Sequence, residues 1–310
     1  MSPESFTRMP LPAREPVWDT VEVPHRLELG LRALEPGESW LEVDADLESD
    51  LRTKRDLFRD RRGQVFVELP ESRAAQHEVL AAVVETLLEK FPLHYSRTSA
   101  RLRVEATGDE IDLDDSSRPP LELASCCVQE DLVVMQQLGG EWCLTAGSVC
   151  FPTRWDLAPL LGQPMHRIHG RVPGYRQELD AVSNRFFDTM TEGTVFRRGN
   201  WSMMDDPSLF QPASRRQNRA RRDLNASNAG TEVWLRVEHQ TLQRLPMSGA
   251  ILFTIRVHRT RLDAVARDAE AARSLIGAME SMHPAMRRYK ALDRVRGVST
   301  AYLRRIIDGV

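Results

Sequence analysis

The sequence predicts an α+β fold, and two observations carry that expectation. Strand-like stretches succeed one another through the middle of the chain, at 128–136, 141–149, 194–203, 232–242 and 248–258. Helical patterning lies before, between and after them instead of alternating with them strand by strand, as a βαβ fold requires. No Gly-x-Gly-x-x-Gly follows a strand and no Walker loop occurs, so nucleotide binding through those two motifs is not supported.

The elements read as follows. Residues 1–45 are rich in proline and turn formers, with apolar residues in short bursts (Leu27, Leu29, Leu31, Leu34), and predict an irregular arm laid over a single domain spanning 46–310. Residues 46–61 place Leu47, Leu51, Leu57 and Phe58 at roughly helical spacing. A stronger helix spans 72–90, with Glu71 or Ser72 as its cap and Val79, Leu80, Val83, Val84, Leu87 and Leu88 as its buried stripe. Residues 101–105 alternate like a strand. Gly139-Gly140 between the runs at 128–136 and 141–149 reads as a hairpin turn. Leu179, Val182, Phe186 and Phe187 make 176–190 an amphipathic helix. In the strand at 232–242, Trp234, Arg236, Glu238 and Gln240 share one face, and Leu235, Val237 and His239 the other. From Asp263 onward the pattern is helical, broken at Pro284 and near Gly297. Residues 211–231 read as a polar insertion loop.

Composition narrows the function classes. The chain has 310 residues, 42 Lys plus Arg against 45 Asp plus Glu, and a formal charge of −3, so nothing global draws it to nucleic acid or an anionic membrane. The first residues lack the apolar run of a signal peptide, and no stretch of about 18 apolar residues appears, which predicts a soluble cytoplasmic protein. Four cysteines are too sparse for a disulfide scaffold, and the adjacent Cys126 and Cys127 predict reduced thiols. With no Cys-x-x-Cys there is neither a zinc ribbon nor a c-type haem attachment. With no Gly-x-Ser-x-Gly or His-Glu-x-x-His, lipase-type hydrolases and zincins lack support.

Several clusters carry chemistry. His166 and His169 are three apart in Pro164-Met-His-Arg-Ile-His-Gly-Arg-Val-Pro-Gly-Tyr175. Neutral imidazole is a good ligand for haem iron or zinc, yet with no third ligand nearby the bare pair reads more readily as two surface or loop histidines. Arg198, beside Asn200 and Trp201, suits a site that grips a carboxylate in bidentate fashion, or else a structural arginine paired to an acid with Trp201 in the core. The segment 236–249 concentrates polar groups (Arg236, Glu238, His239, Gln240, Arg244) next to a buried-looking strand, where they must either pair with one another or hold a ligand. Glu130 and Asp131 form either a carboxylate pair in a pocket or a solvated strand end. Cys143 and Cys150 read as small apolar residues. Arg215, Arg216, Arg219, Arg221 and Arg222 have no interleaved aromatics and read as a solvated loop or a docking patch for an acidic partner.

Taken in order, these blocks resemble the haem-dependent oxidative N-demethylase α-subunit-like family. The resemblance runs through Leu29-Gly-Leu-Arg32, Trp40-Leu-Glu-Val-Asp44, Gln129-Glu-Asp-Leu132 and Gly147-Ser-Val-Cys-Phe-Pro-Thr-Arg-Trp155 to Ile168-His-Gly-Arg-Val-Pro-Gly-Tyr175. It continues with Arg185-Phe-Phe187, Arg198-Gly-Asn-Trp-Ser202, Leu209-Phe-Gln-Pro212, the run from Arg236 to Pro246, and Phe253-Thr-Ile-Arg256. It implies a PAS-like antiparallel sheet with flanking helices, non-covalent haem b, and monooxygenase-type oxidation of a small secondary amine such as dimethylamine with O2, releasing formaldehyde. Electrons are expected from a reductase partner carrying FMN and a 2Fe–2S centre, since this chain has no cysteine set for a cluster. His169 is the implied iron ligand, with His166 as runner-up. Arg198, Arg236, Arg244 and Arg256 are candidates to pair the propionates, and Glu238, Glu130, Asp131 and Trp201 to receive an ammonium substrate. Two positions depart from the family pattern: Arg171 stands where proline is usual, and His239 where arginine is usual. A non-catalytic haem or ligand sensor, and a haem-free scaffold subunit of an amine-oxidising complex, are the alternative functions.

Overall fold

A computed structural model describes residue 11, residues 17–214 and residues 223–309. The arginine cluster between 215 and 222 lies outside the described residues. Within them the chain is a mixture of helices and two antiparallel sheets, an α+β architecture.

Residues 17–45 contain no helix and a single two-residue strand, β1 (Arg32–Ala33). Helix α1 (Leu47–Val65) turns Leu47, Leu51, Leu57 and Phe58 inward and runs directly into β2 (Phe66–Glu68). Helix α2 (Arg73–Lys90) buries Val79, Leu80, Val83, Val84 and Leu87, the stripe that three- and four-residue spacing dictates. Each of these side chains, fully buried, contributes about 1.5–3 kcal/mol. Ser72 occupies the N-cap position, but its hydroxyl donates to Leu69 O at 2.6 Å and receives no helix N–H. A small meander follows: β3 (Tyr95–Thr98), β4 (Arg101–Val104) and β5 (Asp109–Asp112). Helix α3 (Pro120–Ser125) then leads to the main sheet.

Strands β6 (Asp131–Leu138) and β7 (Glu141–Ser148) form the expected hairpin. Gly139 and Gly140 take φ of +61° and +86°, the pair of left-handed conformations a tight two-residue turn needs. Next come α4 (Met165–Ile168), a π-helical turn over Tyr175–Leu179, and α5 (Asp180–Thr189), so the helix expected at 176–190 opens with a widened first turn. Strand β8 (Val195–Met204), helix α6 (Ala229–Glu232) and strands β9 (Trp234–Arg244) and β10 (Ile251–Arg261) complete a sheet in the order β1-β8-β9-β10-β6-β7-β2. Every neighbouring pair in it is antiparallel. The chain then continues through α7 (Leu262–Val265), α8 (Ala269–Ser281), α9 (Pro284–Tyr289) and α10 (Arg296–Ile307). Pro284 starts α9, where its missing N–H costs nothing. The break expected near Gly297 falls just ahead of it, between α9 and α10, where Ala291 adopts a φ of +56°.

The sheet separates its neighbours by side-chain parity. Leu132, Val134 and Leu252 pack with the stripes of α1 and α2 in one apolar cluster. Trp201, Met203, Leu235 and Val237 pack with Leu275, Met279 and Leu303 of the C-terminal helices in a second. Val133, Met135, Leu144, Leu242 and Ile251 face the opposite way, toward Phe187 of α5, in a third. The four cysteines are free thiols. Among the described residues no helix is long and apolar enough to cross a membrane.

Candidate functional site

A cavity of about 540 Å³ lies against that third cluster, a size that suits a cofactor. Register builds its wall: Val133 pairs with Phe253 and Phe253 with Leu242, so three strands present apolar side chains to one space. Leu144 of β7 and Ile255 of β10 extend the wall, and Phe186 and Phe187 of α5 line another side. Segment 19–32 lines it as well. It crosses β8 at Gly199, where a Cβ would overlap the Thr20 methyl, so this glycine lets the segment approach the strand closely.

His169 caps α4 and lines the cavity. Its Nδ1 lies 3.0 Å from Met165 O. A carbonyl only accepts, so Nδ1 carries the proton and the lone pair sits on Nε2. Tyr175 stacks on the ring at 4.4 Å between centroids, with 14° between planes. Burial pushes the imidazole pKa down, against the bond to Met165, and Arg198 adds to the fall, so the ring is neutral at pH 7. His166 does not line the cavity; its Nδ1 is 3.7 Å from Glu141 Oε1.

The polar end of the cavity comes from β8, β9 and the end of α9. Asn200 is in register with Glu238, and Arg198 with Gln240. Glu238, 8% exposed, accepts hydrogen bonds from the Thr153 hydroxyl, from Asn200 Nδ2 at 3.1 Å and from Gln240 Nε2 at 2.8 Å. Lys290 Nζ donates to Asn200 Oδ1 at 2.6 Å and Trp201 O at 2.7 Å, 5.6 Å from the Trp201 ring centroid. Burial brings this ammonium down to about 8, against the pull of Glu238. Burial also lowers Arg198 from the ordinary arginine value, again opposed by Glu238. Its buried Nε has no hydrogen-bond partner among the described residues. An orphaned guanidinium nitrogen beside a cavity marks a place for an anion.

Of the residues expected at a site, the structure brings His169, Arg198, Trp201 and Glu238 to the cavity, with Arg171 at its exposed edge. It takes the others elsewhere. Arg236 is fully engaged by the carbonyls of Phe151 at 2.6 Å and Leu209 at 3.2 Å and by the Thr153 hydroxyl at 3.1 Å. Arg244 donates to the carbonyls of Met190, Phe187 and Gly249 and lies over Trp142. Arg256 is held by Asp44 at 2.7 Å and Asp50 at 3.2 Å. These three guanidiniums are therefore engaged by groups of the chain itself, although Arg256 Nε, like Arg198 Nε, has no hydrogen-bond partner among the described residues, and none of the three lines the cavity. Glu130 and Asp131 are buried away from it, neither a solvated strand end nor a pocket pair. Glu130 Oε1 accepts from Glu42 N at 2.7 Å, and Asp131 accepts from Cys150 N at 2.8 Å and Phe151 N at 2.9 Å. Burial raises Glu130 to about 7 and Asp131 to about 6. Lys290 and segment 19–32 escaped sequence reasoning. Lys290 ends a basic run on a short helix, and nothing in its spacing distinguishes it from solvated lysines.

The cavity thus combines an apolar wall with a neutral histidine, a fixed carboxylate and a guanidinium whose Nε is unpartnered among the described residues. The chain belongs to the family described as haem-dependent oxidative N-demethylase, alpha subunit-like, whose model matches residues 30–299.

Proposed function

We propose that the chain binds haem b non-covalently in this cavity through His169 and serves in the oxidative N-demethylation of a small secondary amine. The observation that carries the reading is the His169 tautomer: Nδ1 is committed to Met165 O, which leaves Nε2 of a cavity-lining ring as the ligand atom. The fit is supported by two further features, the apolar wall for the macrocycle and the orphaned Arg198 nitrogen for a propionate. When bound, haem supplies oxidation by O2 of the C–H bond next to nitrogen, from which formaldehyde and the demethylated amine follow.

The chain's own residues do the rest. Met165 O and the Tyr175 stack fix the imidazole plane. Arg198 would pair an anionic group of the cofactor. Glu238, immobilised by Thr153, Asn200 and Gln240, receives the substrate ammonium. Its carboxylate is the cavity anion whose position three donors fix, so it orients the N-methyl group. Trp201, in register with Val237, turns its ring to the other face of β8, where Lys290 lies over it. The apolar wall and segment 19–32 exclude water. Electrons come from a separate reductase carrying flavin and an iron–sulfur centre, in keeping with an alpha-subunit-like family.

The test is formaldehyde release by the haem-loaded chain given dimethylamine, O2 and a reductant. Formaldehyde in step with amine is expected, with Glu238→Gln raising the amine KM at least about tenfold through loss of a charged hydrogen bond. Haem binding with no formaldehyde from a broad amine panel would turn the reading into that of a ligand-binding protein.

A further inference from the structure

On the face of β9 opposite the cavity, a second cluster of ligating groups belongs to no part of the site above. We propose that Glu42, His239 and His258 form a binding site for a divalent transition metal of the zinc class. One ligand atom from each residue lies within 4.8 Å of the other two. Two imidazoles and one carboxylate are a donor set that suits zinc, cobalt(II) or iron(II).

Three elements assemble it. His239 of β9 is in register with Arg256 of β10, so His258, two residues further, lies on the same face one step along. The two rings are 4.7 Å apart between centroids. Glu42 enters from the segment ahead of α1, fixed by its own N–H on Glu130 Oε1 at 2.7 Å. Its two oxygens divide between the histidines, Oε1 at 2.7 Å from His239 Nδ1 and Oε2 at 2.9 Å from His258 Nε2.

The far ring nitrogens also point at carboxylates. His239 Nε2 is 3.0 Å from Asp19 Oδ1, and His258 Nδ1 is 4.0 Å from Asp44 Oδ2. At His239 this is the outer arrangement of metal-bound histidines, in which a carboxylate takes the outer N–H and turns the inner lone pair to the metal, whereas His258 Nδ1 has no hydrogen-bond partner among the described residues. Proton accounting favours the same state. Arg197 Nη2, 2.5 Å from His239 Nδ1, can only donate, whereas Glu42 Oε1 on that same nitrogen can only accept. One nitrogen cannot satisfy both through one proton. A neutral ring with its proton on Nε2, donating to Asp19, leaves the Nδ1 lone pair for Arg197 or, once Arg197 turns to the carboxylates, for a cation that Glu42 also ligates. Arg197 then keeps Glu42 Oε1 at 3.5 Å and Asp19 Oδ2 at 3.8 Å as partners. Asp19 belongs to the segment that lines the cavity, so the metal clamps that segment and the one ahead of α1 onto the sheet.

Zinc is the probe, because haem contributes none of it. The full chain is stripped with a chelator, equilibrated with zinc, desalted and assayed for zinc per chain and for the Soret band. About one zinc per wild-type chain is expected. His239→Arg, which preserves an ion pair to Asp19 and Glu42, and His258→Gln should lose it with the Soret band intact. Asp19→Asn should weaken zinc binding about 10–100-fold through the outer contact alone. A wild-type chain that retains no zinc, or His239→Arg and His258→Gln proteins that retain as much as wild type, would overturn the proposal.

Discussion

On the cavity side of β9, Glu238 and Gln240 stand beside Arg198 and Lys290, two cations whose bonds go to neutral groups or to none. On its other side His239 lies between Asp19 and Glu42, and the nearby Arg256 between Asp44 and Asp50. Glu238, Gln240, His239 and Arg256 are buried at alternating positions of β9 and β10, whereas Arg198, Lys290, Glu42 and Asp44 are half-buried and Asp19 is exposed. The two sides differ in whether the folded chain supplies the counter-charge. Where it does, as around Arg256, the charges hold distant segments together. Where it does not, as at Arg198, the energetic cost of burial is left for a ligand to relieve.

Substitutions can break this contrast. The largest effect is expected at Arg256. Replacing it with Met leaves buried Asp50 and half-buried Asp44 without their nearest cation, at a cost of about 3–5 kcal/mol in denaturant unfolding. Next is the pH dependence of Lys290. Its folded-state value of about 8 lies below the ordinary 10.5, so between these values the unfolded chain binds the extra proton. Stability of the haem-free protein should therefore rise across that window, by up to roughly 3 kcal/mol. A Lys290→Met chain should lack that component, and urea titrations of both proteins at pH 7.5 and 10 measure the difference. The smallest stability effect is at Arg198. Arg198→Leu removes an unsatisfied buried group and should leave the haem-free chain as stable as wild type or more so, by about 1 kcal/mol. The same variant should release haem faster to a scavenger globin, which no change confined to scaffolding would cause.

The contrast also explains what the sequence could reveal. Strands β6 to β10 and helices α1 and α2 were legible because each buries a periodic stripe, and the Gly-Gly turn marks its hairpin. Strands β3 and β5 were not, since they are four residues long and mostly solvent-facing, with little alternation to detect. At the site, His169, Arg198, Trp201 and Glu238 were legible from motif order. Arg236, Arg244 and Arg256 sit in equally apolar strand contexts, but their partners are carbonyls of Phe151 and Phe187 and the carboxylates of Asp44 and Asp50. Asp44 and Arg256 are 212 residues apart in the chain, and no local pattern announces such a pairing. Residues 19–29 of the cavity lining precede the family-matched span, so the motifs that identify the cavity do not reach all of its wall.

The central claim is that the cavity holds haem through His169. It is tested most directly by absorption spectra of the haem-reconstituted chain, ferric and dithionite-reduced, beside those of His169→Ala. The wild type should show a Soret band that shifts on reduction, and His169→Ala should lose that band or move it to the position of weakly held haem. A His169→Ala protein with the wild-type Soret band and the wild-type response to added ligands would contradict the account.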